Sequence, residues 1–412
     1  MLVALRENGE RFSLGEKREK AALEKQRRAE VFYCPCCGKK VLMKLGNKKI
    51  WHFAHESGCG CPGEWESETA YHLAGKLEIY RFLLLNGITA QLEEYVRPTR
   101  QRADVMTVFG KNSVAIEFQC ATVEENELKK RTGQYESIGI TPVWILGGKR
   151  LKRVAANIVS LSAFDANFIR KSNDGWFLPY FCPDIHKFII LTSIFSVSER
   201  RFLTNITVFS HDEIHLSHLM EPRFQEHLSL FEWQKEMAKY KASLSVYPSV
   251  YKRQLFLELY QHNLNLHLLP PEIGLPLKTS IYLETPPLIW QAYFYIDFLH
   301  IFQHSGKVTR SSLYRAFLRR IDRGEVRCRP LPLVLEHHFS KAIDEYLDLL
   351  ILTDSIEERD DIFYPQASFF EKVITGEWPA YAKHFFSKNE KIISNHLSKG
   401  FFLNESGKRS VK

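Results

Sequence analysis

The period of apolar and polar positions changes several times along the chain, and each change marks an element. LVALRENGERFSL alternates about Asn8-Gly9, the strongest short hairpin signal, and predicts two strands. GEKREKAALEKQRRAE reads as a polar helix with few apolar anchors. Between residues 32 and 61, two short strands around Gly46-Asn47 bring the halves of FYCPCCGKKVLMKLGNKKIWHFAHESGCGC together. Tyr71, Ala74, Leu77, Tyr80 and Leu84, with Gly87 as a stop, then predict a helix over 66–86. Three strand-like runs follow, ITAQLEEYV, ADVMTVFG and SVAIEFQCAT, the last two joined by a tight turn at Gly110-Lys111-Asn112. EENELKKRTGQYESIG reads as a helix and TPVWILGG as a buried strand. The order α-β-β-β-α-β predicts an α/β sheet with helices packed on it. Beyond residue 150 the periodicity weakens. FIILTSIFSVSERRFLTNITVFS reads as a hairpin, and residues 211–242, 249–264, 286–303, 309–322, 332–352 and 367–385 read as helices. Three units are expected: an N-terminal module over 1–62, an α/β unit over 63–150 and a mainly helical region over 151–412.

Composition adds limits. The 412 residues are 45% hydrophobic and 25% charged, which is globular. No apolar run approaches the roughly 20 residues that span a bilayer. The start MLVALRENGE lacks a signal peptide's basic region and long apolar core, so a soluble, cytoplasmic protein without membrane insertion is expected. The net charge is +8, and residues 1–50 alone hold 13 Lys and Arg against 6 Asp and Glu. Local basicity of this kind suits a phosphate backbone and equally a solvated helix face.

Five of the eight cysteines fall between residues 34 and 61. Cys34-Pro35-Cys36-Cys37-Gly38 is a C-P-x-C-G turn, in which two thiolates grip one ion and the glycine permits the reversal. Cys34, Cys37, His55 and Cys61 make the preferred zinc set, with His52 and Cys59 as alternates. Four protein ligands leave no position for water, so the site is structural.

VAIEFQCATV sets Glu117 and Gln119 in an apolar strand, both on the face opposite Phe118. Antiparallel pairing about Gly110 sets residues whose numbers sum to 221–223 opposite each other, which brings Asp104 near Glu117. Glu66 or Glu68 could complete an acidic pocket. Converging carboxylates repel, and Mg²⁺ or Mn²⁺ relieves that repulsion and activates water against a phosphate. Gln119 could orient the water. His72 and Lys76, one helical turn apart, could face the same site and contact phosphate. Tyr135 and Gln134 on the following helix could reach the pocket or DNA, with packing on the helix surface the preferred reading.

Asp104 followed by Glu117-x-Gln119 within α-β-β-β-α-β resembles the PD-(D/E)xK nuclease fold, with Ala103 where that superfamily often has Pro and Gln119 where it has Lys. With the upstream CPxCG and HFAH segments, the chain resembles the CoiA competence-protein family. Cys34, Cys37, His52, His55, Glu66, Ser67, His72, Lys76, Arg102, Asp104, Glu117, Gln119 and KRTGQYESIGITPVWIL carry the resemblance, which covers residues 1 to 150. It implies a zinc-finger-like module, a nuclease domain and a further C-terminal region. It also implies action on incoming DNA, single-stranded or in recombination intermediates, during natural transformation, with recombination proteins as partners. Arg102 joins His72 and Lys76 as an expected DNA contact. Gln119 in place of Lys favours a rival reading, a DNA-binding or recruiting protein that keeps the fold without the chemistry.

The C-terminal half carries a run of arginines from Arg310 to Arg329. In SSLYRAFLRRI, Arg315 and Arg319 share a helix face opposite Leu313 and Phe317. That face reads either as a DNA-contacting stripe or as the solvated side of a helical bundle.

Overall fold

The computed structural model describes residues 1–16, 18–47, 50–56, 61, 69–223, 228–246, 250–335, 338–366, 369 and 378–398. The Asn8-Gly9 signal forms the expected hairpin, β1 (Val3–Arg6) with β2 (Arg11–Ser13), and Gly9 takes the left-handed conformation at φ +82°. After the basic helix α1 (Lys20–Ala29), β3 (Phe32–Tyr33), β4 (Lys40–Lys44) and β5 (His52–His55) join that hairpin in an antiparallel sheet ordered β2-β1-β3-β4-β5. Phe12, Phe32 and Phe53 fill its inner face, with ring centroids 5.1 and 5.2 Å apart for the Phe32 pairs.

The expected α-β-β-β-α-β order follows as α2 (Ala70–Leu85), β6 (Ala90–Val96), β7 (Gln101–Phe109), β8 (Asn112–Gln119), α3 (Glu125–Glu136) and β9 (Ile140–Gly147). The strands β6, β7 and β8 are antiparallel, whereas β9 lies parallel to β8 through the α3 crossover. Val105 pairs with Ile116, the lowest sum the turn permits. Leu73, Leu77 and Phe82 of α2 pack on Val105, Ile116 and Phe118, while Tyr135 of α3 packs with Ala103 and Ala115 on the other face. Gly75 lets α2 approach β8, since a Cβ there would lie 1.9 Å from the Phe118 ring.

The sheet does not stop at residue 150, and the expected boundary there falls inside it. β10 (Lys152–Ala155), β11 (Ile158–Ser160), β12 (Arg170–Lys171), β13 (Trp176–Cys182), β14 (Lys187–Ser196) and β15 (Arg201–Phe209) extend it. The order is β10-β11-β15-β14-β13-β9-β8-β7-β6, ten strands with β12 added beside β13. The expected hairpin is β14–β15, nearly all of β14 is buried, and β13 joins the two halves by lying parallel to β9. Short helices α4 (Ala163–Ala166) and α5 (Leu216–Met220) pack around it.

The remaining helices are α6 (Leu230–Val246), α7 (Val250–Gln261), α8 (Pro287–Ser305), α9 (Arg310–Asp322), α10 (Ser340–Leu352) and α11 (Trp378–Ser398). They surround α8, whose Trp290, Tyr293 and Phe294 are enclosed. A three-stranded sheet of β16 (Val308–Thr309), β17 (Ile356–Arg359) and β18 (Ile362–Pro365) interrupts the helices. Among the described residues, no helix is long and apolar enough to cross a membrane.

Candidate functional site

Two clusters of chemistry-bearing residues stand out among the described residues. The first is built at the end of β3. Cys34 donates its N–H to Lys39 O at 2.8 Å, and Gly38 N donates to Cys34 O at 2.9 Å with φ +69°, which folds the C-P-x-C-G segment into a knuckle. The antiparallel partner β5 carries His55 to the same point. Cys37 Sγ lies 3.4 Å from His55 Nε2 and Cys34 Sγ lies 3.9 Å from Cys61 Sγ. The four ligand atoms of Cys34, Cys37, His55 and Cys61 fall within 4.8 Å of one another, the group of this kind found among the described residues. A tetrahedral ion with bonds near 2.3 Å spaces its sulfurs about 3.8 Å apart, so this set could hold a metal such as zinc. Burial pushes the Cys34 thiol up. At Cys37 burial works the same way, yet the Lys39 N–H and His55 bring it down to about 7, toward the thiolate that a metal requires. His52 turns its Nδ1 to the Ile50 carbonyl at 2.7 Å, and Cys59 lies outside the described residues.

The second cluster is a row of three buried acids on adjacent strands. Leu92 pairs with Val105 and Glu94 with Ala103, so Glu93 stands level with Asp104; the β7–β8 ladder ends at Val105 and Ile116, and the same register carried one residue further sets Asp104 level with Glu117. Their relative exposures are 1%, 8% and 3%. Asp104 leaves the ladder: its Oδ2 accepts the Phe118 N–H at 2.9 Å and faces His72 Nε2 at 3.3 Å. Lys76 Nζ lies 3.5 Å from Asp104 Oδ1 and 2.5 Å from Glu93 Oε1. Glu93 Oε2 accepts the N–H groups of Leu2 and Val3 at 2.7 and 3.1 Å, and its φ of +51° is a strained backbone for a residue with a side chain. Glu117 points toward α3, where Arg131 Nη2 donates to Oε2 at 2.9 Å and the Tyr135 hydroxyl to Oε1 at 2.7 Å.

These partners split the two central acids. Burial pushes the Asp104 carboxyl up, but His72 and Lys76 outweigh it and hold the group well below the usual carboxylate range. Burial also raises Glu117; Arg131 opposes this, and the charge on Asp104 raises it further, so Glu117 stays above its ordinary value. Three acids thus share Lys76, Arg131 and the His72 imidazole, and the charge on Asp104 bears on Glu117; adjoining carboxylates of this kind can hold a divalent cation.

Several expected residues are moved by the structure. Gln119 is buried, and its amide donates to the Ala121 carbonyl at 2.8 Å, back onto its own chain. Lys76 is fully enclosed, so the expected phosphate contact is replaced by an internal ion pair. His72 stacks on Phe118 and faces Asp104. Arg102 stands opposite Tyr95 on β7, half-buried. Glu66 and Glu68 lie outside the described residues. Arg315 and Arg319 are exposed on α9, with Leu313 and Phe317 buried behind them. Other arginines of the run are drawn into the protein's own contacts. Arg320 is buried among Asp297, Glu258 and Glu325, Arg310 pairs with Asp344, and Arg329 is enclosed against the Ile281 and Leu283 carbonyls. The sequence reading missed Glu93 and Arg131. The signals were the sum of 197 across the β6–β7 turn and the i, i+4 spacing of Arg131 with Tyr135.

Three family models match the chain: Competence protein CoiA, N-terminal domain, over residues 15–64; its nuclease-like domain over 68–224; and its C-terminal domain over 228–368. The nuclease-like match runs past residue 150, as the sheet does. The Competence protein CoiA of Bacillus subtilis (strain 168) is 28% identical over 334 residues, covering 81% of this chain and 89% of that protein. No solved structure matches the chain significantly.

Proposed function

The chain belongs to the competence protein CoiA family, and from that premise we propose that it is a cytoplasmic, metal-dependent deoxyribonuclease of PD-(D/E)xK type that processes incoming DNA during natural transformation and recombination. The observation that carries this reading is the pair Asp104 and Glu117, two buried acids level on adjacent strands, held by partners from opposite helices. Asp104 and Glu117 hold Mg²⁺ or Mn²⁺. Bound there, the ion supplies Lewis acidity toward a phosphate and a water. Gln119 supports the water, Lys76 balances charge from behind Asp104, and Glu66 or Glu68 supplies a further carboxylate. Arg102, Arg315 and Arg319 contact DNA. Cys34, Cys37, His55 and Cys61 hold a structural zinc ion, and the exposed Arg27 and Arg28 of α1 bring the phosphate backbone to the site. The test is cleavage of single- and double-stranded DNA with Mg²⁺ or Mn²⁺. Asp104→Ala and Glu117→Ala are each expected to slow it by about a hundredfold or more while DNA binding persists. Undiminished cleavage in both variants sinks the assignment of roles.

A second reading has its own observation. Gln119 bonds to its own chain and Glu117 is tied to Arg131 and Tyr135, a quiet arrangement that suits a DNA-binding or recruiting protein without cleavage. DNA affinity that survives both substitutions, with no cleavage under either ion, selects it.

A further inference from the structure

We propose that the N-terminal hairpin is part of the acidic site, and that Glu93 is the positioning residue through which it acts on Asp104. The inference rests on the reading of Asp104 as a ligand of the divalent ion. β1 and β2 belong to the N-terminal sheet, yet they make their polar contacts to the central sheet at three consecutive residues of β6. Leu2 and Val3 give their N–H groups to Glu93, and Arg11 reaches the Leu92 carbonyl at 2.8 Å and the Glu94 carboxylate. Leu2 and Val3 are buried in the core that holds α2 on the sheet.

The polar connection continues inward without a break. Two N–H groups fix one oxygen of Glu93 and leave the other for Lys76. The Lys76 ammonium is shared unequally, 2.5 Å from Glu93 and 3.5 Å from Asp104. Glu93 thereby holds the ammonium back. Without that pull, the buried ammonium closes onto Asp104, occupies the oxygen that faces it and turns the carboxylate away from the Phe118 N–H. The strained φ of Glu93 fits this role, because the hairpin over-determines a conformation the residue would otherwise leave. Docking of the metal-binding module is in this way coupled to the aim of Asp104.

The Phe118 amide reports that aim, since its partner is the Asp104 side chain and not the β7 ladder. The experiment measures amide exchange by NMR on the full chain, without DNA or added divalent ion, for wild type, Glu93→Gln, Arg11→Ala, Lys76→Met and the Glu93→Gln, Lys76→Met double variant. Glutamine still accepts from Leu2 and Val3 but no longer attracts the ammonium. Glu93→Gln and Arg11→Ala are each expected to speed Phe118 exchange about tenfold and to leave the Leu191 amide, deep in β14, unchanged. In the Lys76→Met background, Glu93→Gln is expected to add nothing, because the influence passes through the ammonium. Unchanged Phe118 exchange overturns the proposal. So does an equal rise at Leu191, which makes Glu93 a general fold residue, and so does a Glu93→Gln effect that persists in Lys76→Met. Should Lys76→Met not fold, Arg11→Ala, altered on the outer side of the hairpin, carries the test with Glu93→Gln. Because exchange is read without substrate, a wild-type chain that fails to cleave DNA is distinguished from one that lacks this coupling.

Discussion

Glu272 and Glu117 are both buried acids held above their ordinary value, but by different surroundings. Glu117 has a guanidinium and a phenol directly on its oxygens. Glu272, 1% exposed in the helical region, has hydroxyls as neighbours, with Ser355 donating at 3.2 Å. Burial dominates, the hydrogen bonds only soften it, and the Glu272 carboxyl is pushed up to about 7. The folded chain therefore keeps a proton that the unfolded chain has released between its ordinary 4.5 and about 7. Stability contributed by this group is full below the unfolded value, falls as pH rises through that window, and is flat above it. The loss is on the order of 3 kcal/mol at roughly 1.4 kcal/mol per unit. Glu272→Gln keeps the polar shape and removes the ionisation, so it is expected to raise the thermal midpoint at pH 8 while changing little at pH 5. Thermal unfolding at the two pH values checks this, and a variant with the wild type's pH dependence contradicts it.

The helix α2 shows how one element couples packing to the site. Gly75 sits where a Cβ would overlap Phe118 of the strand that carries Glu117, one turn from His72 and next to Lys76. Gly75→Ala gains helix propensity but overpacks a rigid contact, and a net loss of about 1–3 kcal/mol is expected from chemical denaturation. The same displacement moves His72 and Lys76 off Asp104, so cleavage should fall more steeply than stability does. Much of this architecture was legible beforehand because short-range signals specify it: Asn8-Gly9 for the first hairpin, Gly110 for the β7–β8 register, Gly87 for the end of α2. Cys34, Cys37, His55 and Cys61, named from spacing, converge in space because β4 and β5 pair as the Gly46-Asn47 turn predicts. What stayed hidden depends on long-range pairing. Pro179 in β13 reads locally as a break, yet it pairs with Ile190 and the strand joins two half-sheets across residue 150. Glu93 carries no local signal of its role, because the N–H groups that hold it belong to Leu2 and Val3, the latter 90 positions away in sequence. In the arginine run, Arg315 and Arg319 are exposed opposite Leu313 and Phe317 as their spacing predicts, whereas a count of charges does not tell Arg319 from its neighbour Arg320, enclosed by three acids.

At the scale of the whole molecule, the two sheets are unequal in what they can sustain alone. The central sheet has apolar layers on both faces, from Leu73 and Phe82 on one side to Trp144 and Phe168 on the other. The N-terminal sheet has a small core around Phe12, Phe32 and Phe53, and two of its strands are two and three residues long. A core of that size needs a staple, and the Cys34, Cys37, His55 and Cys61 set joins β3, β5 and the segment at Cys61 where one would act. Removal of the proposed ion would leave four ligands whose close approach then has no compensation, so metal and folding would be linked in this module. The purified chain is expected to contain about one zinc ion per molecule, as four ligands of this type bind one. Treatment with a strong chelator should open residues 1–61 to limited proteolysis first, leaving a core fragment that begins near residue 69 and keeps its helical and strand content. Zinc, added back under reducing conditions, should restore protection, and Mg²⁺ should not, because thiolate and imidazole ligands favour the softer ion. A chain that is metal-free as purified and cut no faster after chelation removes the staple from this account. The contacts between the sheets carry the consequence further. Leu2, Val3 and Arg11 hang on the sheet that the proposed zinc would stabilise and hold Glu93 and its neighbours on the sheet that bears Asp104. Chelation should therefore lower cleavage even where Mn²⁺ is resupplied in excess, and cleavage should return with zinc in step with the protection of residues 1–61.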